Sequence, residues 1–212
     1  NRQVLYKTFY VLFGAIIINL FLFYFFRSYG LYVNLILITA TFLILHSIID
    51  ANKSLRGKKR FEYPRIISHF GFGLLVFFIG INHQHSIEND FNLKVGDTKK
   101  LNNFEVSFEN IKIQQNKNYK SVVGDFKILD LKKKQVQYLN PEIRIYTSPE
   151  TLTYEAAIKT KIVADIYLTM SNVSRSDFYN IKFQYKPFMI WIWISAFIIA
   201  LGGFTQLILK KN

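Results

Sequence analysis

Cysteine is absent from this 212-residue chain. Without it no disulfide can staple the fold, no thiolate can hold a metal, and any thiol chemistry nearby must use a partner's cysteines. Several enzyme signatures are missing too. There is no Ser-His-Asp arrangement, nucleotide loop or carboxylate pair with usable geometry, and no ATPase, kinase or helix-breaking transporter signature. Acidic residues are scarce, 14 against 27 Lys and Arg, for a net charge of +13. That excess is not interleaved with aromatics as a nucleic-acid surface would be, so no nucleic-acid partner is expected. The most telling absence is local. Residues 8–26, 28–49, 66–87 and 187–209 contain no Asp, Glu, Lys or Arg.

Each of these runs reaches the roughly 20 residues that cross a bilayer as a helix. Half of the chain is hydrophobic and 17 % is aromatic, which suits a membrane protein better than a soluble domain. The expected fold class is an α-helical integral membrane protein with four transmembrane helices. One outward-facing, small all-β domain, barrel- or sandwich-like, lies between helices 3 and 4. In this division residues 1–87 hold three helices (8–26, 28–49 and 64–83), residues 88–186 hold the β domain, and residues 187–212 hold the fourth helix and a basic tail. The first run is too long for a signal-peptide core and no small-residue cleavage site follows it. The start at Asn1, without Met, fits either processing or a piece of a longer protein.

The basic residues mark topology. Lys53, Arg56, Lys58, Lys59, Arg60 and Arg65 lie between the second and third runs; Arg2 and Lys7 precede the first, and Lys210 and Lys211 follow the last. By the positive-inside rule all of them lie on the cytoplasmic or matrix side, in contact with anionic lipid. A short turn at Arg27 to Tyr29 and the segment from Glu88 to Lys186 then lie outside.

That outside segment reads as β. Phe104, Val106 and Phe108 alternate with Glu105, Ser107 and Glu109; Ile166, Leu168 and Met170 alternate with Asp165, Tyr167 and Thr169; Ile143 and Ile145 repeat the pattern. Turn signals stand at Val95-Gly96-Asp97, Asn102-Asn103, Asn116-Lys117-Asn118, Gly124-Asp125 and Asn140-Pro141. Lys132 to Lys134 read as a solvated turn.

Between Ile66 and Asn82 one titratable side chain, His69, stands among apolar residues, and an ionisable group in a spanning helix carries a functional role by default. On a helix His69 shares a stripe with Gly73, Val76 and Gly80. The glycines leave room for either a neighbouring helix or a flat ligand such as haem, whose iron imidazole commonly ligates. His46, near the inner end of the second run, lies at a similar depth and offers an alternative partner for the same iron. His83 and His85 are spaced for one side of an extended strand at the outer mouth, and read as a solvated exit from the helix because no further ligands complete a metal site.

The ordered motifs resemble the CcmF-type cytochrome c haem lyases, specifically their C-terminal part. They are Arg-Ile-Ile-Ser-His-Phe-Gly from Arg65, Gly80-Ile81, Val95-Gly96-Asp97, Asn140 to Tyr146, Thr153 to Ile158, Asp165 to Leu168, Lys186-Pro187-Phe188, Trp191-Ile192-Trp193 and Gly202-Gly203. Two departures are Ser195, where a glycine is expected, and Lys210-Lys211 in place of an arginine-rich end.

The resemblance implies a subunit or fragment of the enzyme that attaches haem to the Cys-x-x-Cys-His motif of apocytochrome c. Its partners would be the remaining haem lyase regions or subunits, a haem chaperone, apocytochrome c with its thiol-handling partner, the lipid membrane, and quinol as electron source. The cofactor implied is a b-type haem that keeps the delivered haem reduced, with His69 as one axial ligand to its iron. The tryptophan-rich haem-handling site has no counterpart in this chain, so no residue is expected to be catalytic, and holocytochrome c synthase activity would belong to the complex. Arg65, one turn before His69, is placed either to pair with a haem propionate or to anchor the helix at the inner surface. Gly73 completes the cofactor-binding set. Trp191 and Trp193 belong to the interfacial belt. The location implied is a bacterial or mitochondrial inner membrane, with the β domain in the periplasm or intermembrane space. Two other classes remain: a non-catalytic membrane scaffold whose β domain docks partners, and a transport or sensor membrane protein.

The charge pattern makes a topological prediction. Protease added from the outer side should digest the 88–186 segment and spare the 53–60 loop; cleavage of that loop from outside would reverse the orientation.

Overall fold

The computed structural model describes residues 2–26, 30–57, 63–173 and 177–209. The expected turn at Arg27 to Tyr29, and Lys58, Lys59, Arg60, Lys210 and Lys211, lie outside the described residues. The chain forms two compact units, one of Asn1–His85 with Pro187–Asn212 and one of Ser86–Lys186.

The first unit is helical: α1 Arg2–Phe26, α2 Leu31–Leu55, α3 Tyr63–His85 and α4 Met189–Leu209. All four are long and apolar enough to cross a membrane. Large side chains such as Phe9, Phe21, Tyr32, Phe197 and Leu207 stay exposed along them, a surface that only lipid or other helices can cover. The protein is an integral membrane protein.

Helix ends follow local chemistry. Pro64 sits in the first turn of α3, where its missing N–H costs nothing. Beyond α2, Gly57 takes a left-handed φ of +83° and turns the chain away. α3 runs through His85, so His83 and His85 stand on a helix, not on the extended segment expected for them. Two positions apart on a helix means about 200° of rotation, so they point to different sides.

α3 packs on both α2 and α4 through glycine. A Cβ on Gly73 would lie 2.8 Å from Ile44 Cγ1 and 3.3 Å from the Ala40 carbonyl oxygen of α2. On Gly71 it would lie 2.9 Å from the Ile199 backbone nitrogen of α4, and on Gly202 of α4 2.7 Å from the Ser68 nitrogen. Backbones this close have no room for larger side chains. At the other end of α3, Phe78 stacks on Trp191 at 5.6 Å, and Asn82 Nδ2 donates to the Pro187 carbonyl at 2.6 Å. Trp193 stays 69 % exposed, free to meet an interface. α1 is held to α2 by the buried Asn19, whose Nδ2 donates to Thr41 Oγ1 at 3.0 Å.

The second unit is a two-sheet β-sandwich. Its strands are β1 Ile87–Leu93, β2 Thr98–Leu101, β3 Phe104–Gln115, β4 Tyr119–Asp130, β5 Gln135–Leu139, β6 Glu142–Thr147, β7 Glu150–Glu155, β8 Ala157–Lys159, β9 Ala164–Asn172 and β10 Tyr179–Pro187. One sheet has the order β1-β10-β9-β8 and the other β2-β3-β4-β6-β7, with β5 also paired to β4. The alternating residues meet between the sheets as expected: Phe104, Val106, Phe108, Ile166, Leu168 and Met170 are all buried. Phe108 and Phe126, cross-strand partners, stack at 4.2 Å. The sandwich confirms the expected class.

Two strand readings need correction. Gly124-Asp125 is not a turn but the middle of β4, where that strand's edge passes from pairing β5 (Phe126 to Asp130) to pairing β6 (Tyr119 to Val123). Glycine is needed there because a Cβ would lie 2.6 Å from Phe126 Cε2 and 2.9 Å from Met170 Sδ. Ile145 shares the core face with Ile143 but is 39 % exposed, because it pairs with the equally uncovered Leu152 at the end of the sheet. Lys132 to Lys134 are exposed in a turn, as read.

Two outcomes follow for the sandwich. Gly124→Ala should cost about 1–3 kcal/mol of β-unit stability, measured by amide exchange of β4 in the full chain, because the stacked Phe126 cannot easily yield. Glu88 is paired with Lys182 and Lys186, which lowers its carboxyl from the usual 4.5 to about 2; the hydrogen bond from Lys182 is the largest cause. A lowered carboxyl contributes stability that is present above its unfolded value and lost as pH falls from about 4.5 through about 2. Glu88→Gln should flatten that acid limb in the same exchange measurement.

Candidate functional site

Between the ends of α2 and α3 that carry Asp50 and Arg65 lies an open cleft of about 220 Å³, lined by His46, Ser47, Asp50, Arg65, Ile66 and His69. Helical spacing builds it. His46 and Asp50 are four residues apart on α2, and Arg65 and His69 four apart on α3, so each pair shares a face.

The polar contacts radiate from Asp50. Its Oδ1 receives Lys53 Nζ at 3.2 Å, and its Oδ2 faces His46 Nδ1 at 3.5 Å and Arg65 Nη2 at 3.5 Å. The contact with Arg65 crosses from α2 to α3. His69 makes a shorter bond: its Nδ1 lies 2.8 Å from the carbonyl oxygen of Arg65, one turn earlier. A carbonyl only accepts, so Nδ1 carries the proton; in the neutral ring Nε2 then keeps its lone pair. The imidazole is exposed within this chain. It is a donor without a lid.

The structure thus brings together His69, Arg65 and His46. Gly73 is elsewhere: its open side is filled by Ile44 and Ala40, so it serves the approach of α2 and leaves no space for a flat ligand. Asp50 was not singled out from the sequence, although a signal existed. It is the only carboxylate in the four helices, and it stands four residues after a histidine.

The cleft falls below the ~300 Å³ at which pockets begin to enclose a small molecule. Among the described residues no group of three His, Asp or Glu is placed to hold a metal ion. The cleft offers an oriented imidazole nitrogen, a guanidinium and apolar walls.

Residues 84–187 match the family model described as the CcmF C-terminal beta-sandwich. Curated relatives agree. The cytochrome c-type biogenesis protein CcmF of Pseudomonas aeruginosa is 27 % identical over 148 residues, 70 % of this chain and 22 % of that protein. CcmF of Escherichia coli K12 is 28 % identical over 151 residues, 70 % of this chain and 23 % of that one. CycK of Bradyrhizobium diazoefficiens is 21 % identical, covering 81 % and 26 %. A solved structure of "Cytochrome c Heme Lyase CcmF" superposes with a TM-score of 0.70 over 93 % of this chain and 33 % of that chain, at 15 % identity. The chain spans about a quarter of the length of the curated relatives it matches, and it resembles their C-terminal part, as its motifs implied.

Proposed function

We propose that this chain is the C-terminal membrane module of a CcmF-type cytochrome c haem lyase, and that His69 supplies one axial ligand to a b-type haem shared with another chain or region. The observation that carries the reading is the His69 ring itself. Donation from Nδ1 to the Arg65 carbonyl at 2.8 Å sets the tautomer, and metal-bound histidines typically donate their other N–H in this way. With Nδ1 so engaged, Nε2 is the free ligand atom.

The remaining residues fit one edge of a haem. Arg65 can meet a carboxylate bidentately, as a propionate requires, while its pairing with Asp50 at 3.5 Å is long enough to be shared or exchanged. Leu43 and Ile66 give apolar wall. The exposure of His69 within this chain is compatible with a ligand set completed beyond it. When bound, such a haem supplies a one-electron carrier, fed by quinol, that keeps the haem awaiting attachment reduced. His69, its ring oriented by the Arg65 carbonyl, would hold the iron, and the Arg65 guanidinium would hold a carboxylate edge. The chain supplies no thiol; the cysteines that receive haem are those of the apocytochrome Cys-x-x-Cys-His motif. We place the chain in a bacterial or mitochondrial inner membrane, with Lys53, Arg56 and Arg65 on the inner side and the sandwich in the periplasm or intermembrane space, where the haem chaperone and apocytochrome c would meet it.

In the complete assembly, His69→Ala or His69→Gly should remove the b-type haem or convert it to high spin while the chain remains inserted, because insertion rests on the apolar spans. Cytochrome c maturation should fall, and added imidazole should partly restore the glycine variant. An unchanged low-spin spectrum would refute the assignment, and absence of any b-type haem from the wild-type assembly would favour the scaffold.

A further inference from the structure

Within the sandwich, β5 turns its side chains alternately out and in. Val136 and Tyr138 are exposed, while Gln137 and Leu139 are buried, and Gln137 stands opposite the fully buried Ile128 of β4. An amide at such an inward position is costly unless its polar atoms are hydrogen-bonded. The Oε1 of Gln137 is buried and meets no donor among the described residues. Gln137 borders a cavity of about 30 Å³, lined also by Asp130 of its own sheet, by Tyr185 of the facing sheet, and by Lys133 and Lys161. That volume is roughly the 30 Å³ share of one water in the liquid and far below the ~300 Å³ of a small-molecule pocket. The charges narrow the choice further. The Asp130 carboxylate disfavours an anion, and the two lysines disfavour a cation. A neutral molecule that both donates and accepts fits, provided that several polar partners surround it. Asp130 is only 9 % exposed; its Oδ1 accepts the Lys132 and Lys133 N–H groups at 3.0 Å each, and Oδ2 takes no part in that turn. Burial and the nearby Asp130 charge both raise the Tyr185 hydroxyl above its ordinary value, so it keeps its proton and can donate.

We propose that this cavity is a binding site for an ordered water, which donates to Gln137 Oε1 and to the Asp130 carboxylate and accepts from the Tyr185 hydroxyl. The water then joins the β4–β5 hairpin to β10 of the facing sheet. That link matters because β5 pairs with β4 alone and has no second strand to hold it. It also accounts for a glutamine in a row of apolar side chains: its oxygen is one of the water's acceptors. The proposal does not depend on haem.

The sign of a single substitution separates a hydrated site from a dry one. Gln137→Met keeps the shape of the side chain and removes its polar atoms. If the oxygen has no partner, its removal is neutral or stabilising; if it holds a water, the water loses an acceptor and β5 is loosened. In the full chain in lipid nanodiscs, amide exchange of β5 relative to β3 should become roughly fivefold faster in Gln137→Met. Tyr185→Phe should act in the same direction, and the two effects should be less than additive together because both variants disturb the same water. Lys133→Met should change little. Unchanged or slower exchange in Gln137→Met would overturn the proposal, as would full additivity. An effect of Lys133→Met as large as that of Gln137→Met would also overturn it, since a lysine ammonium would then be the donor. A density map of the wild-type full chain that shows ordered water gives a direct reading without any variant. It should place one within hydrogen-bond distance of both Gln137 Oε1 and Asp130, and a map with ordered water elsewhere but none there would contradict the site.

Discussion

Everything in the membrane unit depends on how closely α3 approaches its neighbours. Hydrocarbon offers no hydrophobic drive to push helices together, so contact comes from close packing, as at the glycines of α3, and from interhelical hydrogen bonds such as Asn19 to Thr41. Gly73 admits α2 and Gly71 admits α4, while Gly202 of α4 receives the Ser68 turn of α3 in return. Because α2 is brought this close, Asp50 can reach across to Arg65 and the cleft exists at all. A larger side chain at position 73 would push away Ile44, two residues before His46. Packing and chemistry are thus one constraint on this helix, and the glycines are better understood as what places the histidine than as space for its ligand.

Within the cleft the order of control runs from fixed to adjustable. The Arg65 carbonyl is part of a helix and cannot leave, so the orientation of His69 is built in. The side-chain contacts around Asp50 are longer and partly solvated, and an arriving anion can re-sort them. For the haem proposed at this site, His69 would be the fixed contact and the groups around Asp50 the adjustable ones. The sandwich is a separately cored unit with its own aromatic stack at Phe108 and Phe126.

Much of the fold was legible because burial imposes simple periods. Charge-free runs of membrane length became α1 to α4, and the alternations at Phe104 to Phe108 and Ile166 to Met170 became the core of the sandwich. Failures came where one signal has two physical causes. Gly124 looks like a turn because glycine allows turns, but here it clears space for Met170 and Phe126. His83 and His85 follow the apolar run and so looked extended; the helix continues because nothing stops it until Ser86. At the site, His69 was visible as an isolated titratable group in an apolar helix, and Arg65 as its neighbour one turn away. Asp50 escaped notice because it lies among basic residues whose obvious role is topology, and only the packing of α2 on α3 turns it into a shared partner. Gly73 was placed on the right stripe, but a stripe cannot say whether its open side meets a helix or a ligand.

The central claim, that iron is bound by one nitrogen from this chain and one from elsewhere, can be tested by pulsed electron paramagnetic resonance on an assembly in which 15N-histidine is confined to this segment. One strongly coupled 15N beside one 14N ligand in the low-spin haem signal is the predicted result. A spectrum with only 14N ligands would contradict the claim, and two 15N ligands would require His46 and His69 to clamp the iron between them.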